Sequence, residues 1–188
     1  MSHVSLSHVG LNSVGDCLMQ NDTISSRIHD QFCAEQFLFQ EAELLDDFKL
    51  LDWLLLLDRA IDYRIPVRCT RPQDELDKAF SATAFHMIEH FGSLEARMKR
   101  FGAGGWSEFP PSRTRRNVSN IRVDRNATDR LSVKSNLLYY WSREEENIIV
   151  SAQRHDELRE HDGALKLARR VVLLDHTALP LPNLSVVL

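Results

Sequence analysis

The sequence predicts an α+β fold, a helical opening followed by a run of antiparallel strands, and two periodicities carry that prediction. Ala34, Phe37, Leu38, Ala42 and Leu45 recur at the three- and four-residue spacing of one buried helical stripe. Leu131, Val133, Ser135, Leu137, Tyr139 and Trp141 instead alternate one for one with Ser132, Lys134, Asn136, Leu138, Tyr140 and Ser142. That is the rhythm of a long strand with one face on a core. Helices first and strands afterwards imply a sheet curled around the early helices. The chain has 188 residues, enough for one domain that buries roughly 70% of its unfolded surface without a disulfide or metal staple.

In chain order, residues 1–22 read as an N-terminal arm and residues 23–188 as a single domain. The arm is rich in Ser, His, Val and Gly and contains Ser-His-Val twice, at residues 2–4 and 7–9. Asn21, Asp22 and Thr23 are candidate N-caps for the first helix. Glu41 falls on its apolar stripe, so it needs a charged partner once buried. A second short helix is expected from Lys49 to Leu57. Ile61 to Val67 reads as a short strand closed by Pro66, and so near an edge. Residues 68–77 read as a loop. Gly92 breaks the chain and Ser93 is a candidate N-cap for a helix from Leu94 to Phe101. Residues 102–112, with three glycines and two consecutive prolines, form a loop.

Strands are then expected around Val118, Ile121 and Val123 (a shorter one), from Leu131, from Ile148, Val150 and Ala152, and from Arg169 to Asp175. Asp129-Arg130, Glu144 to Asn147 and His161 to Gly163 are the turns between them. Arg154, Asp156, Arg159, Arg169, Arg170 and Asp175 fall where cross-strand ion pairs form, and Glu41 requires one of these groups.

Composition excludes several functions. Lys plus Arg is 23 and Asp plus Glu is 27, a formal charge of −4. Nucleic-acid-binding surfaces usually show a basic excess. No run of about 18 apolar residues is present to cross a membrane, since Leu50 to Leu57 is broken by Asp52. Cys17, Cys33 and Cys69 are scattered, without a C-x-x-C pair, and read as free thiols in a reducing cytoplasm. The first residues lack the basic and apolar regions of a secretion signal, so a cytoplasmic location is expected.

One motif tempts a metal reading. His86-Met87-Ile88-Glu89-His90 matches the H-x-x-E-H pattern of inverted zinc proteases. On a helix both histidines would share a face. The break just after His90 places the motif in a strand or turn instead, where residues four apart stand about 13 Å apart. His155, His161 and His176 are isolated, and no Cys-x-His pairing occurs that could begin a Rieske cluster site. No phosphate loop, dinucleotide fingerprint or nucleophile elbow is present. The basic run Arg113, Arg115, Arg116, Arg122 and Arg125 is read as ion pairing in the fold or across a subunit interface.

Several phrases carry a resemblance. Glu35 to Asp47 (EQFLFQEAELLDD), Trp53 to Leu57, Asp62-Tyr63, Ile65 to Val67 and Leu94 to Arg100 occur in order. They are followed by residues 110–115 (PPSRTR), Val118 to Val123, Ser135 to Tyr139 and Asn183 to Leu188. Together, across about residues 28–188, they resemble the small (beta) subunit of Rieske-type aromatic-ring-hydroxylating dioxygenases. The phrase at residues 110–116 leans toward the biphenyl, toluene and cumene branch.

The resemblance implies a cone-shaped fold like that of nuclear transport factor 2, and a hexamer of three large and three small subunits. The catalytic large (alpha) subunit would hold the Rieske [2Fe-2S] cluster and the mononuclear Fe(II), with a ferredoxin and reductase delivering electrons from NADH. The complex would cis-dihydroxylate aromatic hydrocarbons with O2, and this chain would be its non-catalytic structural subunit, with no cofactor and no catalytic or metal-binding residue of its own. Arg113, Arg115, Arg116, Arg122, Asn183 and Leu184 are the candidate subunit-interface residues. The same cone also serves stand-alone isomerases and dehydratases; on that alternative Asp62, Tyr63 and His86 would be the cavity acid, base or carbonyl-polarising groups.

Overall fold

The computed structural model describes residues 14–102, 112–126, 130–178 and 187–188. The first 13 residues of the predicted arm, most of the loop at 102–112, Asp129, and the tail residues Asn183 and Leu184 lie outside them.

The first helix, α1 (Val14–Asp46), starts ahead of its expected caps. Asn21, Asp22 and Thr23 are helix-interior, because no Gly or Pro stands between residues 16 and 65 to stop the helix running on. At its other end the predicted stripe is buried as expected, from Ala34 to Leu45. The helix stops in a Schellman arrangement: the Lys49 N–H donates to Leu44 O and the Phe48 N–H to Leu45 O. The residue in the left-handed position is Phe48, with φ of 57°, where glycine would be free of strain. A one-turn helix, α2 (Leu50–Leu54), follows inside the span predicted for it.

Six strands form one sheet: β1 (Leu57–Arg68), β2 (Phe80–Glu89), β3 (Arg113–Arg125), β4 (Leu131–Arg143), β5 (Glu146–His161) and β6 (Ala164–Leu174). Their order is β2-β1-β6-β5-β4-β3. The last four strands make the antiparallel run read from the sequence. β1 joins it parallel to β6, and β2 pairs antiparallel with β1. β1 is therefore an interior strand directly beside the edge strand β2, near an edge as Pro66 suggested. Pro66 is tolerated because it follows the last parallel pair, Arg64 with Val171, and sits at a register shift against β2. The loop expected at 68–77 gives way to a 3₁₀ turn over Gln73–Lys78.

β3 is as long as β4, not shorter as its sequence suggested. Its apolar residues step by three and then two because a bulge between Ser119 and Arg122, with Asn120 at φ of 51°, reverses which face each parity shows. In β4 the alternation holds throughout: Leu131, Val133, Ser135, Leu137, Tyr139 and Trp141 are all buried. Two-residue turns join β4 to β5 and β5 to β6; the second, Asp162-Gly163, has positive φ at both positions, the type I′ signature.

Helix α3 (Phe91–Gly102) begins three residues before its predicted start. His90 is the N-cap and Ser93 the third helical residue. The Ser93 N–H donates to His90 Nδ1 at 3.0 Å and the His90 N–H donates to Ser93 Oγ at 3.0 Å, a reciprocal capping box. α1 packs on β3 and β4, and α3 on β1 and α2, so the bent sheet wraps the helices as a cone. Trp53, Tyr63, Leu94, Met98, Leu137 and Leu158 meet in the core between them.

Candidate functional site: a filled interior and a charged outer face

Two charge clusters stand out, one inside the cone and one on its outer surface. The inner one begins with Glu41, carried into the core by the apolar stripe of α1. Arg170 of β6 lies opposite, donating from Nη1 to Glu41 Oε1 at 2.6 Å and from Nη2 to Oε2 at 2.7 Å. Strand pairing sets Asp156 beside Arg170, and the guanidinium donates to both its carboxylate oxygens at 2.8 Å. Arg154, two residues along the same face of β5, donates to Glu41 Oε2 at 3.3 Å and to Ser135 Oγ at 3.3 Å. The Trp53 indole N–H adds a bond to Glu41 Oε1 at 3.2 Å. All four charged side chains are essentially inaccessible to water, and their two positive and two negative charges cancel. Such burial is tolerable only because every ion is paired.

The network shifts the titration of its members. Burial pulls the Glu41 carboxyl upward, but Arg170, Arg154 and their hydrogen bonds outweigh it and hold the group down at about 2. Burial pulls the Arg170 guanidinium downward, but Asp156 and Glu41 outweigh it and raise the group well above its ordinary value. Arg154 is lowered, first by burial and then by Arg170 beside it. Nearby, burial pushes the Tyr63 hydroxyl up to about 12. That hydroxyl donates to Leu188 O at 2.8 Å and accepts from the Leu188 N–H at 3.0 Å, pinning the buried residues Val187 and Leu188 into the core.

This interior does not assemble the three groups proposed for a stand-alone enzyme. Asp62 and Tyr63 are neighbours in β1, so they face opposite sides of the sheet. Asp62 is on the outer side, paired with Arg64 at 2.7 Å and near Arg169 at 3.8 Å. His86 sits in β2 beside the buried Met87, which points the other way. The H-x-x-E-H motif is likewise absorbed by the fold: it runs along a strand, Glu89 pairs with Arg97, and His90 caps α3. Among the described residues no three His, Cys, Asp or Glu side chains gather as a metal would need, so these residues offer no ligand set for a Rieske or mononuclear iron centre. Cys33 and Cys69 are free thiols. Among the described residues no helix is long and apolar enough to cross a membrane.

The predicted interface arginines divide by strand parity. Arg116 points inward, its side chain buried against Asp46, with a bond to Val187 O at 2.7 Å and its guanidinium 4.9 Å from the Tyr139 ring centre. It is committed to this chain's own fold. Arg113 and Arg115 point outward beside Ser142 and Tyr140, and Arg122, past the bulge, is outward beside Lys134. Among the described residues neither Arg113 nor Arg115 has a carboxylate within ion-pair distance; Arg115 donates only to Thr114 O. The Glu41 network was half-legible: one acid on an apolar stripe, with Arg154, Asp156 and Arg170 as possible partners. Arg159 and Asp175, grouped with them, pair instead with Asp58 and Arg68. The pairing of Tyr63 with Leu188 had no sequence signal, because the partner is backbone 125 residues away.

Comparison with known proteins decides what carries this architecture. The family model for the ring hydroxylating beta subunit matches residues 40–180. The chain belongs to that family. It is 36% identical over 165 residues to the N,N-dimethyl phenylurea N-demethylase subunit beta of Sphingobium sp. strain YBL2, covering 86% of this chain and 93% of that one. It is 32% identical over 160 residues to the chlorobenzene dioxygenase subunit beta of Cupriavidus sp. strain PS12, covering 80% and 84%. In fold it matches a structure of naphthalene 1,2-dioxygenase with indole bound in its active site. The TM-score there is 0.74 at 23% identity, with 95% of this chain and all of that chain covered. The resemblance drawn from the sequence thus holds at family level. This beta subunit is a component of an aromatic-ring-hydroxylating oxygenase system, in which beta subunits partner alpha subunits and are generally non-catalytic.

Proposed function

We propose that this beta subunit is the structural member of a hexamer of three large and three small subunits, located in the cytoplasm. Rieske [2Fe-2S] and mononuclear Fe(II) centres would belong to the large subunit, which a ferredoxin and reductase supply with electrons from NADH. The observation that carries this reading is the filled cone. Glu41, Arg154, Asp156 and Arg170 neutralise one another where an enzyme of this shape would need a free acid and an open cavity. A carboxyl held near 2 and fully hydrogen-bonded is a poor general base at neutral pH.

The outward Arg113, Arg115 and Arg122, with tail residues Asn183 and Leu184, remain the proposed subunit contacts; Arg116 supports them from inside by fixing β3 to α1. On this reading the aromatic substrate is chosen mostly by the large subunit. The lean toward the biphenyl, toluene and cumene branch rests on residues 110–116 alone, and the two relatives above carry the names of other substrates. Expressing the cognate large subunit with and without this chain tests the proposal. Its trimeric assembly and arene oxidation should need the small subunit. A large subunit that assembles and turns over normally without it would refute the structural role.

A further inference from the structure

The apolar run from Leu50 to Leu57 holds more leucine than the core takes up. Trp53, Leu54 and Leu57 are buried, but Leu51 and Leu55, four residues apart on one face of α2 and its C-cap, are 55% and 67% exposed. They form one wall of a pocket of about 470 Å3 at the end of the sheet where β1 begins and the β5–β6 hairpin turns. Phe91 of α3 lines it as well. A pocket of this size, with apolar walls and a few convergent polar groups, is of the kind that holds small molecules.

The remaining walls are charged, and their charges do not cancel. Arg59, Lys99, Arg159 and Lys166 bring four positive charges, Asp58 and Glu95 two negative ones, an excess of two in a chain whose formal charge is −4. Arg159 is paired with Asp58 at 3.2 Å and Lys99 with Glu95 at 3.1 Å. Among the described residues neither Arg59 nor Lys166 has a carboxylate within ion-pair distance. The Arg59 guanidinium lies 4.0 Å from the Phe91 ring centre, which holds it in place without using its N–H donors. Lys166 gives one N–H to Leu55 O at 2.5 Å and keeps two more for a ligand.

We propose that this pocket binds a small organic carboxylate with an arene-sized apolar body, the carboxylate held by Arg59 and Lys166 and the body against Leu51, Leu55 and Phe91. Both halves of the ligand are needed. Inorganic phosphate would leave the leucines and Phe91 uncovered, and a neutral arene would desolvate two cations without pairing them. The two cations are fixed by contacts of their own before a ligand arrives, which lowers the cost of ordering them. The pocket uses no residue of the Glu41 network, so binding requires no opening of the filled cone.

The test is a calorimetric titration of the full chain with 1-naphthoate, and with 1-naphthalenemethanol as the same body without the charge. One naphthoate per chain should bind with a Kd of about 1 mM or tighter, and about tenfold or more tighter than the alcohol. Arg59→Gln with Lys166→Gln, whose amide can still donate to Leu55 O, should weaken naphthoate about tenfold or more. Leu51→Ser with Leu55→Ser should weaken acid and alcohol alike, and melting curves confirm that each variant is folded. No binding, equal affinities for acid and alcohol, or folded variants that bind as the wild type does overturn the proposal. Displacement of naphthoate by an equal concentration of inorganic phosphate also overturns it, since that would mark a bare anion site. Acetylation of the exposed Lys99, read by peptide mass spectrometry in the complex with the large subunit, locates the ligand. Saturating naphthoate should slow that reaction. An unchanged rate, or a Lys99 that the large subunit already shields, overturns the proposal. Failure to copurify with a large subunit counts against the assembly role alone, because the titration needs no partner.

Discussion

Replacing Glu41 with Gln gives the sharpest test of the filled interior. The amide keeps the shape of the side chain but removes the charge that faces Arg170 at 2.6 and 2.7 Å and Arg154 at 3.3 Å. Two guanidinium groups then share only Asp156, leaving one net positive charge in the core. Breaking one partner out of a buried ion network costs about 3–5 kcal/mol. An independent route gives a similar figure. The drop of the carboxyl from 4.5 to about 2 corresponds to an order of 3 kcal/mol of preference for the ionised form in the folded chain.

The sign follows from where the proton binds first. As pH falls the unfolded chain takes up the proton near 4.5, while the folded chain resists until about 2. Glu41 therefore contributes its full stabilisation above about 4.5 and loses it as pH falls toward 2. Urea unfolding of the full chain at pH 7 should show Glu41→Gln less stable by about 3–5 kcal/mol. Between pH 4.5 and 2 the variant should also lose less stability than the wild type. A variant within about 1 kcal/mol of wild type at pH 7, or one with an unchanged acid profile, would refute the reasoning.

Three further outcomes are expected. Tyr63→Phe removes both bonds to Leu188 and leaves its buried N–H and carbonyl without that partner, a loss of about 1–3 kcal/mol in the same urea experiment. Arg116→Ala should cost about 3 kcal/mol or more because it takes the only cation from the buried Asp46, leaving it the neutral Thr114 hydroxyl and residue-116 N–H donors, whereas the exposed Arg115→Ala should stay within about 0.5 kcal/mol; melting curves that order them the other way would reverse the assignment of faces. Ser93→Ala should lower stability by about 1 kcal/mol by opening the α3 capping box, read from thermal unfolding.

Much of the fold was legible because local patterns and tertiary burial agree. The stripe from Ala34 to Leu45 and the alternation from Leu131 to Trp141 are each set by which side faces the core, and each element lies where its pattern put it. Boundaries failed where the deciding force is not local. Asn21, Asp22 and Thr23 carry cap-forming side chains, but an uninterrupted helical run passes through them. Pro66 seemed to close its strand, yet its missing N–H falls at a bulge and β1 continues to Arg68. Ser93 does cap α3, from inside the helix, with His90 in the outer position. The metal-like spacing of His86, Glu89 and His90 had no chemistry behind it once β2 extended the chain.

The site divided in the same way. Glu41 on an apolar face announced a buried ion pair, and the strand arginines supplied its partners. Arg113, Arg115 and Arg116 could be listed together only while strand parity was unassigned; alternation sends the third inward and leaves the first two outside. The tail's return to Tyr63 was invisible, because a backbone partner has no residue signature.

Nothing tests the structural-subunit account more directly than locating the iron. The chain is co-expressed with its large subunit, the complex is weighed by native mass spectrometry, and the subunits are then separated for iron and sulfide analysis. The account predicts equal numbers of the two chains, with iron and cluster sulfide only in the large one. Iron retained by the separated small subunit, or arene oxidation by the small subunit alone, would contradict it.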